Sequence, residues 1–312
     1  MKDKCFWKKL FPLFAFFAFV VHLTLLSACT PRQETRFAPA AQVSGAVTDA
    51  LGRQFVLGES PRRIVSLVPA ATEILFAIGA GDRVVGVTQY CDYPPEAKEK
   101  TSVGGFSGAT MSMEIIRSLE PDMVFLSADM HARVVSLLDE LGISSFALEP
   151  RNISQTYDTI TLLGEITGCV SGAESVIAEM EMKMGAVEER IRGRQPKTVF
   201  WVLGEEPIMT AGSGTFVSEA INLAGGKNIF DDVKEQWPLV SPEQVLLRNP
   251  DWVLIGSDMG EILSFSKNPL WQLLPVLREG RLEFIDADYL YRYGPRLADG
   301  VQMLAEILHG DL

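Results

Sequence analysis

Two stretches of this chain match at a fixed offset of 129 positions, with no gap between them. Residues 112–129 carry Ser112, Glu114, Pro121, Asp122, Val124, Leu126 and Asp129; residues 241–258 carry Ser241, Glu243, Pro250, Asp251, Val253, Ile255 and Asp258. The shared pattern predicts a serine-capped helix start, one short helix, a Pro-Asp turn and a buried strand (Met123–Leu126 and Trp252–Ile255). A looser echo lies upstream of each copy, Glu73 to Gly81 against Glu219 to Gly226 with one residue deleted. A repeat of this length requires two similar units in one chain.

Between the copies, Ser171 to Gly193 reads as one helix of about 20 residues, roughly 30 Å long. Ala173, Val176, Ile177, Met180, Met184, Val187 and Ile191 recur at three- and four-residue steps and share one face. Ser171 and Glu174 fit a capping box, Glu188 can pair with Arg192, and Gly193 and Pro196 stop the helix.

The flanking segments alternate strand and helix. The expected order is a hairpin over 49–57, strand 64–68, helix 72–78 capped by Thr72, strand 84–87, helix 112–119, strand 123–126, helix 131–141 and strand 143–148. After the long helix come strand 198–202, helices 215–224 and 241–248, strand 252–255, helix 269–279, strand 282–285 and helix 295–308. Alternation of this kind implies parallel sheets covered on both faces. The fold class is therefore α/β, as two Rossmann-like lobes joined by a single long rigid helix. The divisions are residues 1–28, 29–60, 61–170 (N-terminal lobe), 171–194 (connecting helix) and 195–312 (C-terminal lobe).

Residues 1–28 stand apart. Lys2, Lys4, Lys8 and Lys9 precede an apolar run from Leu10 to Leu25, interrupted by His22 and Thr24. Leu26-Ser27-Ala28-Cys29 fits a lipoprotein signal box, with Cys29 acylated as the mature N-terminus. The alternative is an uncleaved anchor, for which a run of about 16 is short against a span of about 20. Either way the domain is exported and tethered at the extracytoplasmic face of a membrane, residues 30–44 reading as a flexible tether.

Beyond residue 28 there are 24 Lys and Arg against 39 Asp and Glu, a net charge near −15. Such a chain is a poor nucleic-acid binder. Cys91 and Cys169 are the domain's cysteines, structural or free unless an oxidising compartment pairs them. His131 and His309 are too few for a histidine-rich zinc site. No phosphate-binding loop and no G-x-S-x-G elbow is present, and Gly79-x-Gly81 lacks the third glycine of a dinucleotide fingerprint. Asn152-Ile153-Ser154 fits a glycosylation sequon. Catalysis has little support.

The inter-element loops are rich in aromatics: Tyr90 and Tyr93, Phe106 in a glycine-rich run, Trp237 before Pro238, and Tyr289, Tyr291 and Tyr293 around Asp288 and Arg292. In open α/β sheets ligands bind beyond the carboxyl ends of the strands. Aromatic faces there hold a flat, partly apolar ligand, while Asp and Arg fix its polar edge. Glu114 and Glu243 fall in first helical turns, where the macrodipole favours a carboxylate. One such carboxylate on each duplicated lobe also suits docking on a two-fold partner.

Four motifs carry a family resemblance over residues 60–310. They are Arg63-Ile64-Val65-Ser66-Leu67 through Pro69-Ala70-Ala71-Thr72-Glu73; Tyr90-x-Asp92-Tyr93-Pro94-Pro95; Trp237-Pro238-x-Val240-Ser241-x-Glu243-Gln244-Val245-Leu246; and Asp288-x-x-x-Arg292-x-x-Pro295-Arg296. The chain resembles the periplasmic substrate-binding proteins of metal-chelate (iron–siderophore) ABC importers, in particular their cobalamin-binding branch. The resemblance implies two lobes on a rigid helix that close little around ligand. It implies that Ala70, Tyr90, Trp237, Asp288 and Arg292 line a corrinoid site, with no resident cofactor or metal. It further implies that Glu114 and Glu243 meet arginines on the two permease subunits of an importer with its ATPase subunits, the receptor acting as a monomer. Phe106 stands about where the family has Trp, with two extra residues before Glu114, and Met209 falls where the family has an aromatic; both join the expected ligand-binding set. A ferric-siderophore or haem receptor is the alternative, the latter through Tyr90 as an axial ligand. An enzyme on a doubly wound fold and a surface adhesin are the readings outside this class.

Overall fold

A computed structural model describes residues 45–205, 207–256 and 269–310, within a unit that spans 41–312. The expected signal segment, Cys29 and the tether lie outside the described residues, as does Asp258 of the repeat. No described helix is long and apolar enough to cross a membrane.

A hairpin of β1 (Ala46–Thr48) and β2 (Gln54–Val56) leads into β3 (Ile64–Ser66), α1 (Pro69–Ala77), β4 (Val84–Val87), β5 (Thr101–Ser102), α2 (Met113–Ser118), β6 (Met123–Ser127), α3 (Ala128–Glu140) and β7 (Ser145–Leu148). Two helices follow, α4 (Ile153–Thr167) and α5 (Val170–Ile191). The second lobe runs β8 (Lys197–Val202), a small hairpin β9 (Gly204–Glu205) and β10 (Ile208–Met209), α6 (Phe216–Leu223), β11 (Gly226–Asn228), α7 (Pro242–Arg248) and β12 (Trp252–Gly256). It closes with α8 (Pro275–Arg278), β13 (Leu282–Ile285), α9 (Asp288–Tyr291) and α10 (Leu297–His309).

Both main sheets are parallel, in the orders β5-β4-β3-β6-β7 and β11-β8-β12-β13. Their central strands alternate between two cores, as the two-residue period of a strand demands. Ile64 and Phe125 enter one core of the first lobe, while Val65, Val124 and Leu126 enter the other. In the second lobe Val199 and Trp201 face one way, Phe200 and Val202 the other. In each sheet the chain order reverses at the first strand, β3 or β8, which opens a crevice at that strand's carboxyl end.

The repeat has a mechanical reason. Asp122 accepts the backbone N–H groups of Arg62 and Arg63, at 2.7 and 3.0 Å, just before β3. Asp251 accepts Thr198 N–H and Oγ1–H at the start of β8, both at 2.9 Å. Each Pro-Asp turn thus fastens its strand to the neighbouring one. Among the described residues, the two non-glycine positions with positive φ are Glu120 (45°) and Asn249 (42°), which immediately precede the two prolines. Both end a helix in the left-handed conformation that stops helical hydrogen bonding.

The long helix is present as α5. Its residues Ala173 and Met180 enter the first lobe's core and Val187 the second's. Its start differs from expectation: the N-cap is Cys169, with no side-chain cap, because Ser171 already lies inside the helix. Arg192 pairs with Glu189 rather than Glu188. Helix α4 was not expected, and it lies alongside α5, where an added Cβ on Gly164 would sit 2.6 Å from that of Ala173. Ile153 at its start packs in the second lobe's core, whereas Leu163 and Ile166 pack in the first. The connection between the lobes is therefore a helix pair. The sequon asparagine, Asn152, is the N-cap of α4 and accepts Gln155 N–H at 2.9 Å.

Further differences are local. Helix α1 begins at Pro69, whose fixed φ suits the first helical position; Thr72 is inside it and donates to Ser66 Oγ at 2.8 Å instead of capping. The expected helix 269–279 breaks into a single 3-10 turn and α8, because Pro275 holds Leu274 extended. The last helix starts at Leu297, with α9 separate from it. Strands β5, β9, β10 and β11 are two or three residues long and leave no periodic signal.

Candidate functional site

The carboxyl ends of both sheets face a cleft of about 650 Å³, within the range typical of small-molecule sites. Ala70 reaches it from the start of α1, where the Val68-Pro69 turn leaves β3. Tyr90 follows β4, Trp237 lies on the loop between β11 and α7, and Asp288 and Arg292 follow β13. Phe106 also lines the cleft, its ring stacked on Tyr90 with centroids 4.3 Å apart and planes 14° apart. Six of the seven expected ligand-binding residues thus share one cavity. Met209 is the exception. It lies on β10, bridged to Leu239, and is not among the cleft's lining residues.

The two lobes each present an aromatic face. Tyr90 is 42% exposed and Trp237 36%. Trp237 meets Tyr291 edge-on, with centroids 6.2 Å apart, and Trp201 Nε1–H donates to Tyr291 Oη at 3.1 Å. Tyr93 and Tyr289 serve differently: both lie against the Arg296 guanidinium, 4.2 and 4.9 Å from their ring centroids.

His131 supports this wall from behind. It is fully buried, and its Nδ1 accepts Ser127 N–H at 3.1 Å. Its other nitrogen, Nε2, therefore carries the proton and donates to Phe106 O at 2.7 Å. Burial lowers its pKa, although the Phe106 carbonyl and Glu149 pull the other way. With both nitrogens engaged, His131 has no lone pair for a ligand in the cleft.

The charged edge is organised around Arg292. Its Nη1 meets Glu73 Oε1 at 3.0 Å and Asp92 Oδ1 at 2.8 Å, and its Nη2 meets Asp288 Oδ2 at 2.6 Å. Burial alone would lower its pKa, but the hydrogen bonds to Asp92 and Glu73 and the neighbouring carboxylates hold it above the ordinary value. Burial pushes the Asp288 carboxyl up against the pull of Arg292. At Asp92 burial is overcome by the Arg292 hydrogen bond and charge, and the carboxyl sits below its usual range.

A further polar wall was not anticipated. Glu149 and Arg151 follow β7, and Ser127 ends β6. Their signal was available, since they follow an expected strand just as Tyr90 does, but no aromatic drew attention to that exit. Arg151 pairs with Asp129 at 2.7 Å and lies 3.8 Å from Glu149.

Glu114 and Glu243 are exposed in the first turns of α2 and α7. Each helix connects parallel strands, so its start lies at the same end of its lobe as the cleft. The Ser241 side chain and the Glu243 backbone hold the Glu243 carboxyl below its usual range. Cys91 and Cys169 are both free thiols. No group of three or more metal-ligating side chains occurs among the described residues.

The family model described as periplasmic binding protein matches residues 64–289. An ABC transporter substrate-binding lipoprotein, YvrC of Bacillus subtilis (strain 168), is 30% identical over 273 residues, covering 85% of either chain. The vitamin B12-binding protein of Yersinia pestis (strain Pestoides F) is 30% identical over 250 residues, covering 80% of this chain and 86% of its own. The crystal structure of the periplasmic vitamin B12-binding protein BtuF of Vibrio cholerae superposes with a TM-score of 0.67 at 29% identity, over 80% of this chain and 96% of that one. Periplasmic haem-binding proteins share the fold, with TM-scores of 0.71 and 0.72.

Proposed function

We propose that this chain, which belongs to the periplasmic binding protein family and is the substrate-binding protein of an ABC importer, captures a cobalamin-type corrinoid. The observation that carries this reading is the pairing of both arginines that line the cleft. Arg292 is held by three carboxylates and Arg151 by Asp129. Among the described residues, no lysine lines the cleft. The carboxylates of a haem or of an anionic siderophore would therefore meet no unpaired cation among the described residues of the lining. A neutral, amide-fringed macrocycle needs none, and it gains from the aromatic faces of Tyr90 and Trp237.

In this account no bond is made or broken. The mechanism is capture, then delivery. Ala70 lets the ligand approach the start of α1 closely, Tyr90 on Phe106 forms one wall, and Trp237 on Tyr291 the other. Asp288 and Arg292 meet the polar edge. Because Arg292 is already fixed by its partners, little ordering is required on binding. Met209 is too peripheral to share in this. Glu114 and Glu243 dock the two lobes on a permease dimer with its ATPase subunits. Cys29 carries the lipid that holds a monomeric receptor at the extracytoplasmic face. Equilibrium titration with cyanocobalamin, haem and a ferric siderophore tests the cargo.

A further inference from the structure

We infer that Glu149 and Tyr293 form a second recognition element of the cleft, one that reads a primary amide on the ligand's periphery and rejects the corresponding acid. The inference rests on the corrinoid reading above and narrows it to a specific chemical group.

The Glu149 carboxylate is half used. Its Oε2 accepts Ser127 Oγ–H at 2.7 Å and Asp129 N–H at 3.2 Å. These bonds fix it at the start of α3, where the helix dipole favours a negative charge. Among the described residues its Oε1 accepts no hydrogen bond, and Arg151 Nη1 stands off at 3.8 Å. The side chain is 20% exposed and lies in the cleft wall. An oriented acceptor thus remains open to the cavity.

Tyr293 lines the same cleft and is 9% exposed. Its hydroxyl is buried and has no hydrogen-bond partner among the described residues. Burial, and then the charge of Glu149, hold the phenol well above its ordinary value, so it remains an O–H donor. A buried hydroxyl without a partner is costly, and native sites of this kind commonly receive the partner from a ligand or water.

One primary amide supplies both complements, an N–H for Glu149 Oε1 and a carbonyl oxygen for Tyr293 Oη–H, provided the Tyr293 side chain, whose hydroxyl is covered in the free protein, shifts to meet it. A carboxylate in its place would put a second negative charge beside Glu149. Arg151 does not cancel that repulsion, because it is shared with Asp129 at 2.7 Å. Sites built to hydrogen-bond one group discriminate strongly against an analogue that leaves the pairing incomplete.

The test is titration of the purified protein with cyanocobalamin and with cobalamin monocarboxylic acids, each having one peripheral amide hydrolysed. Wild type should bind at least one acid isomer roughly tenfold or more weakly than cobalamin. Glu149→Gln should narrow that gap. Tyr293→Phe should weaken cobalamin binding by roughly threefold to tenfold, the range of one hydrogen bond. Its thermal midpoint should not fall and is expected to rise, because the hydroxyl has no bond to lose in the free protein and its unpartnered burial is costly. Tight cobalamin binding by wild type, with both variants matching it toward every ligand, would overturn the inference and leave the proposed function intact. Failure of wild type to bind any corrinoid would remove both.

Discussion

Glu73 of the N-terminal lobe and Arg296 of the C-terminal lobe form a two-pronged ion pair, with Nε–Oε2 at 2.9 Å and Nη2–Oε1 at 2.6 Å. The Glu73 side chain is 1% exposed. Its Oε1 also meets Arg292 at 3.0 Å, so the bridge between the lobes continues into the cleft wall. The echo position in the second lobe, Glu219, reaches the other way and accepts Ile153 N–H at 2.9 Å. Glu73 therefore fastens lobe to lobe, and Glu219 fastens the second lobe to the start of the connecting helix α4. Lys183 on α5 adds a contact to Asp299 on α10 at 2.6 Å.

Removal of the Glu73 carboxylate leaves two guanidinium groups without their shared partner. Breaking one side of a buried charge network costs about 3–5 kcal/mol. Glu73→Ala is expected to lower the unfolding free energy by that amount in a urea titration. A loss below about 1 kcal/mol, the level of an exposed pair, would show that the bridge is not structural.

Trp237 is the aromatic wall of the second lobe. Trp237→Ala should weaken corrinoid binding by about 1 kcal/mol or more, as for a buried aromatic contact. Calorimetric titration measures it, and unchanged affinity would remove Trp237 from the site.

His131 makes stability pH-dependent in a defined direction. Its folded pKa is depressed, so between that value and its ordinary pKa of about 6.5 the unfolded chain binds a proton that the folded chain does not. The stabilisation is fully present above that window and is lost as pH falls through it. His309 is also lowered, by burial first, but it contributes equally to any His131 variant and cancels in the comparison. His131→Gln should flatten the stability curve as pH falls below about 6.5. Parallel curves for the two proteins would contradict this.

Glu114 and Glu243 are exposed, and neither lines the cleft. The double replacement Glu114→Ala with Glu243→Ala should leave ligand affinity unchanged and impair uptake in cells that depend on this receptor. Uptake equal to wild type would remove the docking role.

The fold was legible largely because duplicated units repeat their punctuation. Pro121-Asp122 and Pro250-Asp251 announced two strand-fastening turns, and the apolar stripe of α5 announced a helix shared between two cores. Helix α4 was obscured because Asn152-Ile153-Ser154 reads as a sequon, while its capping role depends on backbone geometry. Capping was misplaced at Ser171 because a serine three residues before a glutamate is the same pattern inside a helix as at its start. Aromatics on strand exits were sufficient to pick out Tyr90, Phe106, Trp237, Asp288 and Arg292 as residues that share one cleft. The Glu149 wall went unseen because charged residues after a strand are ordinary surface, and only the fold shows them turned toward a cavity. Met209 was placed by position in a motif, yet the short hairpin that carries it leaves it outside the cleft lining.

The identity of the cargo is settled by equilibrium titration of the purified protein, with cyanocobalamin set against haem and a ferric siderophore. The account predicts saturable one-to-one binding of cobalamin and much weaker binding of the two others. Tight binding of haem or of the siderophore, with no binding of cobalamin, would contradict it.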